Sequence, residues 1–297
     1  MTVIKNSSQN LILYLVTILV WGSSWLVIKF QLGSVDPMAS VAYRFLLASI
    51  ISLVFCFFSG RLKVYSPKDH FFMFLQGGFL FALNYWLFYL SELTLTSGLA
   101  AVIFSTVVIM NMLNGIVFLQ NKIEYRVFLG ALLGFIGIIF VFWPEITNFE
   151  IEDENIKAFF LALGATFLAS LGNIASARNQ RKGISVLQSN TFGMAYGSVL
   201  MLFLCLVTEK ELSFEYTISY ISSLLFLSIF ASIVAFWTYL TLLGRVGVER
   251  AAYATLLFPI VALAISTVAE DYKWSFFAII GIVLIICGNF IILKIKN

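Results

Sequence analysis

Long apolar stretches separated by short polar breaks repeat along the whole chain. Ten stand out, at about 11–30, 37–58, 70–91, 97–119, 126–143, 156–177, 187–207, 219–243, 250–268 and 275–293. An α-helix needs about 20 apolar residues to cross a bilayer, so each stretch reads as one span. The breaks carry charges or turn formers: Ser34 to Pro37, Arg61 to Asp69, and the acidic run from Glu145 to Glu154. The pattern predicts an all-α membrane protein with ten transmembrane helices. The first stretch is longer than a signal-peptide core, lacks a small-x-small cleavage site and ends in Lys29, so it is expected to remain as a helix.

Composition sharpens this picture. The 297 residues are 61% hydrophobic and 11% charged, against roughly 45–50% and a quarter in soluble domains, which excludes a soluble globule. Cys56, Cys205 and Cys287 lie inside apolar runs, too far apart to suggest a disulfide framework. The lone His70 cannot build a metal site. There is no GxxxxGK[ST] phosphate loop and no HExxH, so no cofactor, metal or enzyme activity is expected. The net charge is +3 without a long basic run, so no nucleic-acid partner is expected. The expected partners are membrane lipid and a small-molecule substrate, with the protein a monomer.

Charge placement orients the spans. With the N-terminus inside, ten helices place Lys5, Arg61, Lys63, Lys68, Lys122, Arg126, Arg178, Arg181, Lys182, Arg245, Arg250, Lys294 and Lys296 in the cytoplasm. Lys157, Lys210 and Lys273 remain outside, as do twelve of the fifteen acidic residues. Basic residues are expected to favour cytoplasmic loops. Both termini are therefore expected in the cytoplasm of a multi-pass cell-membrane protein, a bacterial inner membrane being the natural setting, with residues 144–155 as an external acidic loop.

A shift of 151 residues aligns the chain with itself. Phe79 meets Phe230, Trp86 meets Trp237, Ala100-Ala101 meets Ala251-Ala252, Val117 meets Val268, Gly130 meets Gly281 and Gly137 meets Gly288. Each half holds five spans. An odd number obliges the second half, 156–297, to enter the membrane upside down relative to the first, 1–143. Inverted repeats of this kind build secondary transporters, with the substrate held between the repeats near the midplane.

WGSSWLVIK (Trp21 to Lys29), Pro37, the intramembrane Arg44, Tyr89, SGLAAVIF and the glycine-spaced GALLGFIG (Gly130 to Gly137) run through the first half. The second echoes them with VERAAYATLLFPIVALAISTVAED and a glycine-spaced last helix. Together these resemble the EamA branch of the drug/metabolite transporter superfamily over essentially the whole chain. The resemblance implies ten helices, two inverted five-helix repeats and a central cavity to which the third helix contributes. The first half departs from that family at Leu119-Gln120-Asn121, where an acidic residue often stands; the second keeps Glu270-Asp271.

Candidate binding residues follow from polar or wide side chains inside spans. Arg44 lies seven residues past Pro37, about 10 Å into the bilayer. It reads either as an anchor for a carboxylate or phosphate, or as a structural tie between helix ends through carbonyls, Glu92 or Asp36. Trp21, Trp25 and Lys29 share one helix face beside Ser24. They form either an aromatic ladder facing a cavity or an interfacial belt, with Lys29 reaching the surface. Asn84, Tyr85, Trp86 and Tyr89 cluster in the third span, where polar tips must turn inward. Asn111 with Asn114, and Ser170 with Asn173, suit either substrate contact or hydrogen bonding between helices. Trp237 and Tyr253 are expected to complete the walls. The glycines Gly130, Gly134, Gly137, Gly193 and Gly197 read as close-packing positions. Glu92 and Glu270 fall near outer helix ends. The missing mid-span carboxylate argues against a simple cation/proton antiporter.

The expected activity is secondary active or facilitative transport, as an exporter, of a small metabolite by alternating access. An amino acid or derivative fits Arg44 and the aromatics. An exchanger of a nucleoside-like or nucleotide-like metabolite is the alternative, its base stacking on the rings. An integral-membrane lipid-modifying enzyme is the distant alternative; it would require a polar catalytic cluster and long loops.

Overall fold

A computed structural model describes residues 7–95, 100, 103–122, 124–141, 143–147, 153–258, 260–261, 264–265 and 274–293. Secondary structure among them is helical. The principal helices are α1 (Ser7–Lys29), α2 (Pro37–Phe58), α3 (Pro67–Glu92), α4 (Val107–Leu119), α5 (Tyr125–Val141), α6 (Asp153–Arg181), α7 (Val186–Val207), α8 (Ile218–Val246), α9 (Val248–Ala251) and α10 (Phe276–Leu293). Six of these, α1, α2, α3, α6, α7 and α8, are long and apolar enough to cross a membrane.

Local chemistry sets the starts. Asp36 caps α2, accepting from the Met38 N–H at 2.8 Å, and Pro37 fills the first position, where a missing N–H costs nothing. Ser66 and Pro67 repeat the device at α3, and Thr217 caps α8. Gly247 ends α8 at φ 96°, a conformation open to glycine without Cβ strain.

Three features differ from the expected spans. Helix enters the stretch 144–155 from both sides among the described residues. A one-turn helix spans Trp143–Thr147, and α6 already begins at Asp153, whose carboxylate and that of Glu154 suit the positive end of a helix dipole. The ninth span, expected at 250–268, is not a continuous α-helix over its described residues. It tightens after Ala251 into a 3₁₀ turn, Ala252–Leu256. Finally, α3 and α8 each contain a π-helical segment, Phe79–Leu83 and Leu227–Val234. Apolar periodicity does not reveal such turns.

The helices pair as equivalents under the 151-residue shift. α5 packs on α10 and α2 on α7, while α1 packs on α8 and α6 on α3. A Cβ at Gly137 would lie 2.7 Å from the Gly281 carbonyl oxygen, and one at Gly288 would lie 2.7 Å from that of Gly130. These contacts run antiparallel. On α2 and α7, Cys56 meets Thr191 at 3.9 Å and Met38 meets Thr208 at 4.0 Å, antiparallel again. The crossed pairs are reciprocal as well. The indole of Trp21 on α1 donates to the Ala231 carbonyl on α8 at 3.0 Å, while Gly172 on α6 sits against Leu80 on α3. Trp21 and Gly172 are 151 residues apart, and so are Leu80 and Ala231. Outward faces carry phenylalanine, leucine and isoleucine, as on Phe58, Phe160 and Ile218.

Candidate functional site

The buried layer between the crossed pairs is not filled. A cavity lies there in which the centre of a water molecule can range over about 60 Å³. Helix α1 contributes Trp21, Ser24 and Ile28, and α3 contributes Leu80, Asn84, Tyr85, Phe88, Tyr89 and Glu92. Phe104 precedes α4; Ala169 and Asn173 come from α6, and Phe236 and Tyr239 from α8. Thr255 and Phe258 close it from the segment after α9. Both repeats therefore line one space, displaced toward the Lys29 end of α1 and the Glu92 end of α3.

Aromatic rings form the floor. The Trp21 indole meets the rings of Phe236 at 4.7 Å, Tyr239 at 5.0 Å and Phe258 at 5.3 Å between centroids. Tyr85 rests edge-on to Phe45 at 5.0 Å, and Phe88 meets Phe104 at 5.5 Å. Polar groups interrupt this surface. Asn173 Nδ2 donates to the Tyr239 hydroxyl at 3.2 Å and to Asn111 Oδ1 at 3.4 Å. The Tyr89 hydroxyl donates to Gln31 Oε1 at 3.1 Å. Asn84 Oδ1, Asn173 Oδ1 and both carboxylate oxygens of Glu92 are buried with no hydrogen-bond partner. Most buried polar atoms are paired, so four such atoms on residues of one small cavity set this wall apart.

Of the residues singled out in the sequence, Trp21, Asn84, Tyr85, Tyr89 and Asn173 meet at this cavity. Asn111 stands one layer behind, joined to Asn173. Arg44 also stands behind the wall. It is 1% exposed, its guanidinium lies 4.5 Å from the centre of the Tyr85 ring, and its Nε donates to Ser232 Oγ at 2.9 Å. Ser228 in turn donates to the Arg44 carbonyl at 3.0 Å, so this arginine ties α2 to the π segment of α8. Its partners are serines rather than the Glu92 or Asp36 weighed from sequence; Asp36 pairs with Lys210 at 3.5 Å.

Three expected wall residues lie elsewhere. Trp237 is 44% exposed on the outer face of α8. Adjacent residues on a helix point roughly 100° apart, so when Phe236 faces the cavity its neighbour is turned toward lipid. Trp86 beside Tyr85 is half-buried against the core and is absent from the lining for the same reason. Tyr253 is buried against α5, its hydroxyl donating to the Val127 carbonyl at 2.7 Å. The Trp25 side chain lies outside the described residues.

Sequence reading passed over Phe236, Tyr239 and Glu92. Phe236 is the shift equivalent of Tyr85, so the 151-residue offset applied to the site would have found it; Tyr239 answers to Phe88, which the sequence did not single out either. Glu92 follows Asn84 and Phe88 at i, i+4, i+8, one face of α3; its nearness to a span end concealed its place on the wall. Asn114 and Ser170 act as ties, 2.8 Å apart between α4 and α6.

At the opposite end of the bundle, side-chain hydrogen bonds join the two halves. Arg181 on α6 donates to Asn121 Oδ1 at 2.8 Å and to the Leu119 carbonyl at 3.1 Å, while Asn121 Nδ2 donates to Glu249 at 2.6 Å. Asn121 thus bridges the two halves with an amide, in the stretch where the sequence lacks an acidic residue.

Apolar helices packed around an internal cavity that both halves of the chain line define a multi-pass membrane protein. The chain belongs to the EamA-like transporter family, whose sequence model matches residues 9–143 and 156–294. Among curated relatives it is 24% identical to the "Probable amino-acid metabolite efflux pump" of Escherichia coli (strain K12), over 96% of this chain and 95% of that protein. It is 21% identical to protein PagO of Salmonella typhimurium (96% of this chain, 93% of PagO) and 24% identical to the uncharacterized transporter YoaV of Bacillus subtilis (92% of each). A solved crystal structure shares the fold with a TM-score of 0.78 at 17% identity, covering 96% of each chain.

Proposed function

We propose that this protein is a secondary active or facilitative transporter that exports a small metabolite, an amino acid or a derivative, by alternating access. The observation that carries the reading is the cavity lined by α1, α3, α6 and α8, drawn from both halves and holding polar atoms without partners. Trp21, Asn84, Tyr85, Tyr89 and Asn173 contact the substrate, with Asn111 and Arg44 supporting them from behind. The name of the Escherichia coli relative supports the substrate class. The antiparallel, reciprocal pairing of equivalent helices supports ten spans arranged as two inverted five-helix repeats, 1–143 and 156–297. The positive-inside charge distribution supports cytoplasmic termini. In that orientation the cavity faces outward, and the Arg181–Asn121–Glu249 bridge joins the two halves on the cytoplasmic side.

Uptake of a radiolabelled metabolite panel into reconstituted vesicles, with and without a pH gradient, tests the activity. Accumulation of an amino acid or derivative above protein-free vesicles is expected, and its absence across the panel overturns the reading. For orientation, a cysteine placed at Glu150 is expected to react with an impermeant maleimide added to intact cells. Protection there, with labelling only after permeabilisation, reverses the topology.

A further inference from the structure

The four unpartnered polar atoms on the cavity wall share a chemical sense. Asn84 Oδ1, Asn173 Oδ1 and the two Glu92 oxygens are all hydrogen-bond acceptors. The Asn173 amide is oriented by its Nδ2, which donates to Asn111 and Tyr239. The buried unpartnered donors nearby, Gln31 Nε2, Arg44 Nη1 and Asn111 Nδ2, belong to residues outside the lining, which leaves the Asn84 amide to turn either end to a ligand. A buried acceptor without a donor is costly, and a buried carboxylate more so. What this wall lacks is a donor-rich, positively charged ligand.

Building on the transporter reading above, we propose that the cavity binds an organic ammonium compound carrying a second hydrogen-bond donor, with Glu92 as its counter-ion and Asn84 and Asn173 as the seat of the second donor. Asn84 and Glu92 are eight residues apart on α3, about 12 Å along the axis, so a single ammonium group cannot satisfy both. Between them the wall is aromatic, with Trp21, Tyr85 and Phe88, which suits a flat ring between the two polar ends. Among the described residues, Lys29 from α1 is the charged group facing Glu92. Neither carboxylate oxygen accepts a hydrogen bond from it. Tyr89 on α3 also faces the carboxylate, and Arg44 of α2 acts on Tyr85 and Tyr89. From α8 the titratable lining group is Tyr239; among the described lining residues, Phe104, Ala169, Asn173, Thr255 and Phe258 are neutral. Protons compete with the ammonium for Glu92, so binding weakens as pH falls.

The test is calorimetric titration of the protein in nanodiscs with tyramine, phenethylamine and 3-(4-hydroxyphenyl)propionate over a range of pH. Tyramine is expected to bind, and phenethylamine, which lacks the second donor, roughly three- to tenfold more weakly. The propionate is expected to bind weaker than tyramine by roughly a hundredfold. Glu92→Gln is expected to weaken tyramine by roughly tenfold or more and to remove its pH dependence, whereas Glu92→Asp keeps the pH dependence at reduced affinity. Asn84→Ala is expected to make tyramine and phenethylamine equal. Glu92→Gln keeps the shape of the side chain, and a melting curve within a few degrees of the unmodified protein is expected, which separates lost binding from lost folding. Wild-type affinity in Glu92→Gln, or a propionate that binds as tightly as tyramine, overturns the proposal. So does a protein that binds none of the three. If vesicles of such a protein still transport another metabolite, only the ammonium assignment falls; if they transport nothing, the transporter reading falls with it.

Discussion

Helices α3 and α8 share a backbone plan and differ in chemistry. Each carries a π segment, and each then continues as a helix past the cavity; Asn84–Glu92 lines it over the whole stretch, whereas α8 gives it Phe236 and Tyr239. Under the shift, Tyr85 corresponds to Phe236 and Phe88 to Tyr239, aromatic for aromatic. The remaining positions part company: Asn84 corresponds to Ala235, Tyr89 to Leu240 and Glu92 to Leu243. Symmetry of packing is kept because it holds the bundle together. Symmetry of polarity is not: Ala235, Leu240 and Leu243 lie off the cavity, with Leu243 beside Gly244 at the opposite end of the bundle.

Exchanging the two chemistries gives the largest effect. Leu243 is 1% exposed, so Leu243→Glu buries an unpaired carboxylate at a cost of several kcal/mol. Loss of monodisperse protein on size exclusion is expected. The mirror change Glu92→Leu is expected to fold and to melt at or above the unmodified protein; a normal yield of Leu243→Glu would break the comparison.

Next comes the pair Gly77 and Ser228, equivalent positions just before and within the two π segments. A Cβ at Gly77 would collide with the Gly193 backbone, whereas Ser228 has room and donates to Arg44. Gly77→Ser is expected to destabilise by about 3 kcal/mol, and Ser228→Gly by about 1 kcal/mol for the lost hydrogen bond. Melting of both variants in the same detergent tests the ratio.

Trp21→Phe keeps a ring on the cavity floor and removes the donor to the Ala231 carbonyl. About 1–2 kcal/mol of stability is expected to go with it, together with a weaker transport signal. An unchanged melting curve would detach α1 from the π segment of α8. The smallest effect concerns the tryptophans that first marked the repeat. Trp237→Ala faces outward and is expected to leave transport intact and shift stability by less than about 0.5 kcal/mol. A transport defect there would return Trp237 to the substrate path.

The membrane class and the family were legible because hydrocarbon enforces them: no soluble arrangement hides so many apolar residues, and spans must be helical. The repeat was legible in Trp86/Trp237 and the paired glycines. Part of the site was legible too, since Asn84, Tyr85 and Tyr89 are polar where lipid forbids it. Trp237 misled because its match to Trp86 is a match of two residues turned away from the cavity, and residue identity carries no phase. Glu92 was discounted for its position in the sequence, although depth in a bundle depends on where neighbouring helices end. The π segments have no composition signal, and the 3₁₀ turn after Ala251 needs knowledge of which carbonyls lose their donors.

A π turn holds one residue more than an α-helix requires, and the surplus is absorbed locally so that the faces beyond keep their direction. Had only one half gained that residue, the offset between halves would change by one across the turn. Instead a single ruler of 151 serves on both sides, from Trp21 and Gly172 to Gly137 and Gly288. The length change was therefore common property of both halves, older than the substitutions that left tryptophan in one and glycine in the other.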